Sequence, residues 1–413
     1  MRILLLTHYF APDVTTNCDI MTGLAEQWVA WGHAVTVVTS VPHYATGRVP
    51  PEFRGRLVLR EVRGGLSVHR TYVYVPRERG SLLQRVWSYL TFNVLSTLVA
   101  AAVGGYDVIV APSPPLTIGL SAYLLSRLRR VPYVYNVHDV YPDIAVRLGV
   151  LKNPRLVRLF RWMEKLVYAK AAAVSVVSAG IQANLLSKGV PAGKVRVIPN
   201  FADADRVRPL PRDNDFARRE GLSGRFVVMY AGNLGNSQPV EVVLEAARLL
   251  AGEDEIRFVI VGNPGRIEGL RAQAAARGLG NVHWLPFQPV ARVPEMYAAA
   301  DVHLVVLRRE IGFESAPSKA YTIMAAGRPM IASVARTADT ADLVTAAECG
   351  VWAPPEDPAA LAEAVRRLKA DPALRERMGG NARRAVEARF TRQIVAAQYV
   401  ELLAPLVKRR VSG

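Results

Sequence analysis

Apolar runs of strand length alternate with stretches of helical periodicity from one end of the chain to the other. The run Val302–Leu307 is apolar enough to be a parallel strand covered on both faces. Repeated alternation of this kind calls for parallel sheets joined by right-handed crossovers. In the first half the pattern predicts strands at Arg2–His8, Ala34–Ser40, Asp107–Ser113, Pro132–Asp139, Ala172–Ser178 and Val195–Pro199. In the second half it predicts Phe226–Gly232, Ile256–Gly262, Val282–Phe287, Val302–Leu307, Pro329–Ser333 and Gly350–Ala353. The chain therefore reads as α/β, with two doubly wound, Rossmann-like parallel-sheet domains. Asn200–Asp215, rich in Asp, Arg and Pro, has the composition of a linker. The expected division is residues 1–205, residues 206–390 and a final helical segment, residues 391–413, that is a candidate to cross back onto the first domain. Leu57–Val75, with Arg63-Gly64-Gly65 at its middle, predicts a β-hairpin inserted in the first domain.

Leu82–Val103 breaks the pattern, because Val86–Val103 is 18 residues without a charge, the threshold length for a membrane span. Gln84, Ser88 and Thr91 share one helical face, with Arg77, Arg79 and Arg85 at the near end, so its first half is amphipathic. A packed domain helix, a helix that also dips into a bilayer interface, and a span are the three readings. The strand that follows directly argues against a span, which would cut the first sheet in two.

At 413 residues and 51% apolar, the chain is long enough for two cores and has no disordered composition. Its net charge of +17 is uneven: residues 1–200 carry 23 Lys and Arg against 10 Asp and Glu, a net +13, which leaves +4 for the rest. Such an excess favours an anionic membrane surface or a phosphorylated small molecule. No RNA-binding signature, zinc finger or basic helix run accompanies it, so nucleic acid is not expected. Cys18 and Cys349 lie far apart, without metal-ligand spacing or a secretory leader, and read as reduced thiols of a cytoplasmic protein.

Candidate chemistry concentrates just after strands, where ligands bind in open parallel sheets. FESAPSKAYTIMAAGRP, Phe313 to Pro329, follows Val302–Leu307 and places Glu314, Ser318 and Lys319 at a helix start. Pro317 suits the first turn, Ser318 offers a capping hydroxyl, and Gly327 with Pro329 ends the helix. Free backbone amides and Lys319 then suit an anion, while Glu314 suits hydroxyls attached to it. The plain alternative is a capped surface helix. Gly232, Asn233, Leu234, Gly235 and Asn236 form a small-residue turn that a phosphate can approach, and the backbone around Leu285 and Phe287 is the candidate contact for a base, as in sites of this kind. In the first domain His8, His43 and His138 with Asp139 close three strands and are expected to meet in one crevice. No metal site is expected, since no pair has ligand spacing.

With these residues assembled, the chain resembles the retaining glycosyltransferases of family 4, which have the GT-B fold of two such domains facing across a cleft. The resemblance rests on PSKAYTIMAAGRPMIAS from Pro317, YAGNLGNSQPVEVVLEAA from Tyr230 and HYFAPD from His8. NVHDVYPDIAVRLGVL, from Asn136, is similar to the O-antigen and capsule branch exemplified by fucosamine transferases. The resemblance implies a UDP-sugar or GDP-sugar donor, no cofactor or metal, and a polyprenyl-diphosphate-linked saccharide acceptor at the cytoplasmic face of the inner membrane. It also implies that Ser318, Lys319, Thr322 and the amides of Gly232 and Asn233 hold the donor, that Glu314, His138 and Asp139 contact the reacting sugar, and that His8, Asn17 and His43 face the acceptor. Three departures stand out. Thr322 replaces the second of two glutamates, Asn233 and Gln238 replace the usual Arg and Lys of the diphosphate clamp, and Asp13-Val14-Thr15-Thr16-Asn17 lacks the paired glycines of the first-strand loop. Lys319 is then the nearest replacement cation in the matched motif. A sugar-nucleotide epimerase and a non-catalytic membrane scaffold with a decayed site are the rival readings.

Overall fold

A computed structural model describes residues 1–13, 15–44, 47–76, 82–312 and 317–411. The chain forms two compact units, Met1–Asn200 with Arg392–Gly413, and Phe201–Thr391.

Unit 1 runs β1 (Arg2–Leu6), α1 (Thr16–Ala30), β2 (Ala34–Ser40), β3 (Val58–Arg63), β4 (Leu66–Thr71), α2 (Leu82–Val103), β5 (Val108–Pro112), α3 (Thr117–Arg129), β6 (Tyr133–Val137), α4 (Asp143–Arg147), α5 (Pro154–Lys170), β7 (Ala173–Val176), α6 (Ala179–Ser187) and β8 (Val195–Val197). Its sheet has the order β3-β4-β2-β1-β5-β6-β7-β8. β5 and β6 are buried along their whole length, as continuous apolar runs in a two-sided sheet require. Gly64 and Gly65 both take positive φ, 53° and 83°, which closes β3 and β4 into a two-residue hairpin. That hairpin is the sheet's own edge rather than an insertion: β4 pairs parallel with β2, and only β3 runs antiparallel.

Unit 2 runs α7 (Asp215–Arg219), β9 (Phe226–Ala231), α8 (Val240–Leu249), β10 (Ile256–Gly262), α9 (Pro264–Ala276), β11 (Val282–Pro286), α10 (Val293–Ala298), β12 (Val302–Val306), α11 (Lys319–Ala325), β13 (Met330–Ser333), α12 (Asp339–Ala346), β14 (Gly350–Ala353), α13 (Pro358–Ala370) and α14 (Pro372–Arg389). Every strand pairing in its sheet, β11-β10-β9-β12-β13-β14, is parallel. Asp357 and Asp371 cap α13 and α14 by accepting from Ala360 N and Leu374 N at 2.9 and 2.8 Å, each with a proline in the first turn.

The unit boundary falls at Asn200 and not after residue 205. Ala202 already belongs to unit 2, because its amide donates to Phe390 O at 3.1 Å and it bridges to Thr391. The chain then enters α15 (Arg392–Val411), which belongs to unit 1 and packs on α1. There Trp28 Nε1 donates to Ala396 O at 3.3 Å and its ring meets Tyr399 edge-on. None of the helices among the described residues is long and apolar enough to cross a membrane.

α14 approaches the turn after α11 with no room for a side chain: a Cβ at Gly379 would lie 2.3 Å from Gly327 O. Gly379→Ala is therefore expected to cost about 1–3 kcal/mol of stability in denaturant unfolding, as overpacking does. At Gly380 a Cβ would meet only the movable Arg384 guanidinium at 3.4 Å. Gly380→Ala is expected to be neutral, or stabilising by up to ~1 kcal/mol through helix propensity. Equal losses at both positions would refute the close-approach argument.

Candidate active site

Both sheets have a switch point where the strand order reverses, between β1 and β5 in unit 1 and between β9 and β12 in unit 2. Ligands of open α/β sheets sit beyond the carboxyl ends of the strands at such points. His8 follows β1 and Gly232 follows β9 at these points, whereas His138, Leu285 and Phe287 stand at the ends of β6 and β11, farther along the sheets.

In unit 2, Gly232 follows β9 with φ of 144°, a conformation reserved for glycine. A Cβ at this position would stand 2.8 Å from Lys319 Nζ, so the missing side chain makes the space the lysine occupies. Part of the Lys319 stem reaches the surface, but its ammonium nitrogen is buried and has no hydrogen-bond partner among the described residues. It lies 3.7 Å over the Tyr230 ring. Burial pulls its pKa down to about 7. Tyr230 in turn donates its hydroxyl to Asn233 O, so one ring supports the lysine and holds the turn.

Several expectations need correcting at this turn. The Gly232 amide is occupied by Val261 O at 3.0 Å and the Gly235 amide by Gln238 Oε1 at 3.2 Å, so neither is free for a phosphate. Ser318 makes no capping bond through its side chain, and α11 is only seven residues long, too short for its dipole to carry an anion site. Leu234 is core, 2% exposed, packed where a Gly262 side chain would be. Asn236 offers its carbonyl to Arg308 Nε at 2.6 Å, and Thr322 is half-buried on α11. Leu285 is buried, whereas Phe287 is exposed and donates its amide to Gly262 O at 3.1 Å. Glu314 lies outside the described residues.

Two cations at the turn escaped the sequence reading. Arg308 binds Asn236 O, and Arg266 Nε binds Leu234 O at 2.9 Å. Their positions carried a signal: Arg308 stands just past the end of β12 and Arg266 in the first turn of α9, both at carboxyl strand ends.

In unit 1 the structure brings His8 and His43 together, with ring centroids 5.6 Å apart. His8 stacks on Tyr9 at 4.3 Å and on Phe92 at 4.5 Å, and neither of its ring nitrogens has a partner among the described residues. Burial, with His43 beside it, drives its pKa well below the ordinary range, so the ring is neutral. His43 is held by Val41 O at 2.9 Å from Nδ1. His138 stands at the end of β6, across β5 from β1 in the sheet order. Its Nε2 is buried without a partner among the described residues, and burial lowers its pKa to about 4. Asp139 follows it, half-buried. Asn17 lies in the first turn of α1 with a buried Oδ1 that has no partner among the described residues. Asp13 was missed as a site residue: it is buried and accepts from the amides of His43 at 3.0 Å and Tyr44 at 3.1 Å, fixing the loop that carries His43. Val14 lies outside the described residues.

The sequence matches two family models, "Glycosyl transferase 4-like domain" over residues 20–200 and "Glycosyl transferases group 1" over residues 212–385. A putative colanic acid biosynthesis glycosyl transferase, WcaI of Escherichia coli, is 30% identical, covering 79% of this chain and 82% of the relative. A probable glycosyltransferase, WbjE of Pseudomonas aeruginosa, is 27% identical over 87% of this chain and 92% of its own length. Among solved structures, the fold matches sucrose-phosphate synthase from Thermosynechococcus elongatus with TM-score 0.79 at 21% identity, covering 99% of each chain. It also matches Anabaena HepE in complex with UDP-glucose, with TM-score 0.73 at 19% identity over 98% of this chain and 100% of the other. The chain belongs to the family 4 glycosyltransferases and has their GT-B fold.

Proposed function

We propose that this glycosyltransferase moves a hexosyl or N-acetylaminosugar group from a nucleoside-diphosphate sugar to a lipid-linked saccharide, with retention of anomeric configuration, in the synthesis of a cell-surface polysaccharide such as O-antigen. The observation that carries the donor half is the buried, unpartnered Lys319 ammonium beside Gly232. A buried cation without a counter-charge is costly, and a diphosphate supplies the missing charge. Arg266 adds positive potential at the same turn, and Arg308 adds less because it pairs with Glu356 at 3.4 Å. Support also comes from the UDP-glucose bound to HepE, a protein of the same fold. The donor is a UDP-sugar or GDP-sugar and no metal takes part, Lys319 assuming the cationic role.

Unit 1 takes the acceptor. His8 and His138, held neutral by burial, each offer one donor and one acceptor nitrogen, the pair a sugar hydroxyl uses. His138 and Asp139 contact the transferred sugar, and His8, Asn17 and His43 the acceptor. Glu314 is assigned the donor hydroxyls on the sequence motif alone. Retention follows same-face attack, in which the departing phosphate oxygen takes the acceptor proton.

The enzyme works as a peripheral protein on the cytoplasmic face of an anionic inner membrane. α2 supports this with an apolar stripe turned outward, in addition to the Phe92 and Ala100 that it buries. Thr91 and Asn93 turn toward the protein, bonding Tyr74 N at 3.1 Å and Thr117 Oγ1 at 2.7 Å. Trp87, Leu90, Val94 and Leu98, one stripe at helical spacing, are exposed. Exposed apolar stripes of this length mark interaction surfaces. α5 adds exposed Trp162 and Leu159 among Arg155, Arg158, Arg161 and Lys165.

With a matched donor alone, sugar nucleotide is expected to persist, with slow release of nucleotide. Adding acceptor should yield a product whose anomeric configuration, read by NMR, is that of the donor. Conversion to an epimeric sugar nucleotide without acceptor, or an inverted product, would overturn the reading.

Lys319→Ala is expected to weaken nucleoside diphosphate binding at least tenfold in calorimetry, ~1.4 kcal/mol. The free amine has a pKa of about 7, and a bound diphosphate raises it toward the ordinary lysine range. Binding at pH 8 should therefore take up a proton, detected as a buffer-dependent heat, and affinity should fall as pH rises above 7. Lys319→Ala should abolish the uptake; unchanged affinity and uptake would show that another group holds the diphosphate.

Sedimentation with anionic vesicles should capture the protein at low salt. Trp87→Ser with Leu90→Ser should reduce capture several-fold without altering donor binding, and wild type left in the supernatant at low salt would remove the membrane from the proposal.

A further inference from the structure

Unit 2 holds a cavity of about 600 Å³ at the end of its sheet away from the donor turn. Asp301 and Pro329, in its wall, directly precede β12 and β13, so the cavity opens at the amino ends of strands whose carboxyl ends face the donor turn. Five arginines line it, Arg212, Arg328, Arg375, Arg383 and Arg384, against two acids, Asp301 and Glu376.

Two of the arginines have structural work. Arg212 pairs with Asp301 at 3.1 Å, and Arg383 binds Glu387 at 2.7 Å while donating to Ala204 O, Val207 O and Ala325 O. The other three have no carboxylate partner among the described residues. Arg375 caps the end of α13 through Lys369 O at 3.0 Å, and Arg384 reaches Asn381 Oδ1 at 2.6 Å on its own helix. Arg328 donates one nitrogen to Leu210 O at 3.0 Å, and its Nε is buried with no partner among the described residues. A guanidinium cannot escape by losing its proton, so a buried donor on it is met by water or by an anion.

We infer that this cavity binds a compact oxyanion of the phosphate or diphosphate class, at a site separate from the donor turn. Forked N–H pairs match phosphate oxygens, and five guanidiniums against Asp301, Glu376 and the Glu387 paired with Arg383 leave a surplus of two positive charges, which calls for more than a single negative charge. The cavity lies at the end of α11 opposite Lys319, where Arg383 holds the Ala325 carbonyl at 2.8 Å.

Calorimetry with inorganic pyrophosphate tests this in the Lys319→Ala variant, which removes the cation of the donor turn. Saturable binding is expected to persist there, to weaken at least tenfold when Arg328→Gln and Arg384→Gln are added, and to weaken several-fold with Arg384→Gln alone. The last change lies on the exposed side of α14 and leaves the fold intact, which circular dichroism would verify. Pyrophosphate binding that disappears with Lys319→Ala, or that is indifferent to Arg384→Gln and to the pair, would overturn the inference.

Discussion

An ammonium group withdrawn from water, with no acceptor among the described residues, is the constraint around which the donor half is arranged. Stripping solvent from such a group costs several kcal/mol, and a cation–π contact returns only ~0.5–2 of that. Lys319 is kept in place because its surroundings leave no alternative. The glycine at 232 provides the volume, and Tyr230 provides the floor. The lowered pKa is the local expression of the same cost, since a group that gives up its proton near pH 7 is one the fold would sooner have neutral. The site is thus poised for an anion.

Unit 1 solves a different problem. Its surplus positive charge lies on the surface, notably along α5, while the residues at its switch point are aromatic rings and uncharged imidazoles. This separation is physically coherent. A hydroxyl needs directional hydrogen bonds in a dry setting, and a net charge next to it would draw water in. Asp13 shows how the fold supports that setting. Its carboxylate accepts from the His43 and Tyr44 amides, which fixes the loop and directs that oxygen pair into the backbone.

Much of this was legible in the sequence, for identifiable reasons. All twelve expected strands exist, and Ala34–Ser40, Ile256–Gly262 and Gly350–Ala353 have the expected bounds, because a buried parallel strand is a contiguous apolar run that ends where polarity returns. The α2 bounds were also readable, but not its orientation. Periodicity says which residues share a face, not which face meets the sheet: here Phe92, Ser96 and Ala100 are buried and Trp87, Leu90, Val94 and Leu98 are left exposed. The hairpin turn was announced by its glycines, yet the pairing of β4 with β2 joins residues some thirty positions apart and leaves no local trace. Arg308 and Arg266 were missed for the same reason, as each touches the donor turn across a long separation in sequence.

The remaining question is how a seven-residue helix holds a buried lysine steady, since a helix this short is unstable alone. The answer lies in α14. Its Gly379 lets the backbone meet the turn at Gly327, Arg383 reaches back to the Ala325 carbonyl, and Phe390 packs edge-on against Tyr321 at 4.9 Å. These three contacts grip the middle and the carboxyl end of α11, leaving its first residue to be placed by Gly232 and Tyr230 from the sheet side. Lys319 is therefore fixed from both directions by elements far apart in the chain. A loosened α14 would release the lysine from its buried position, and the anion affinity of the turn would go with it although no residue of the turn had changed.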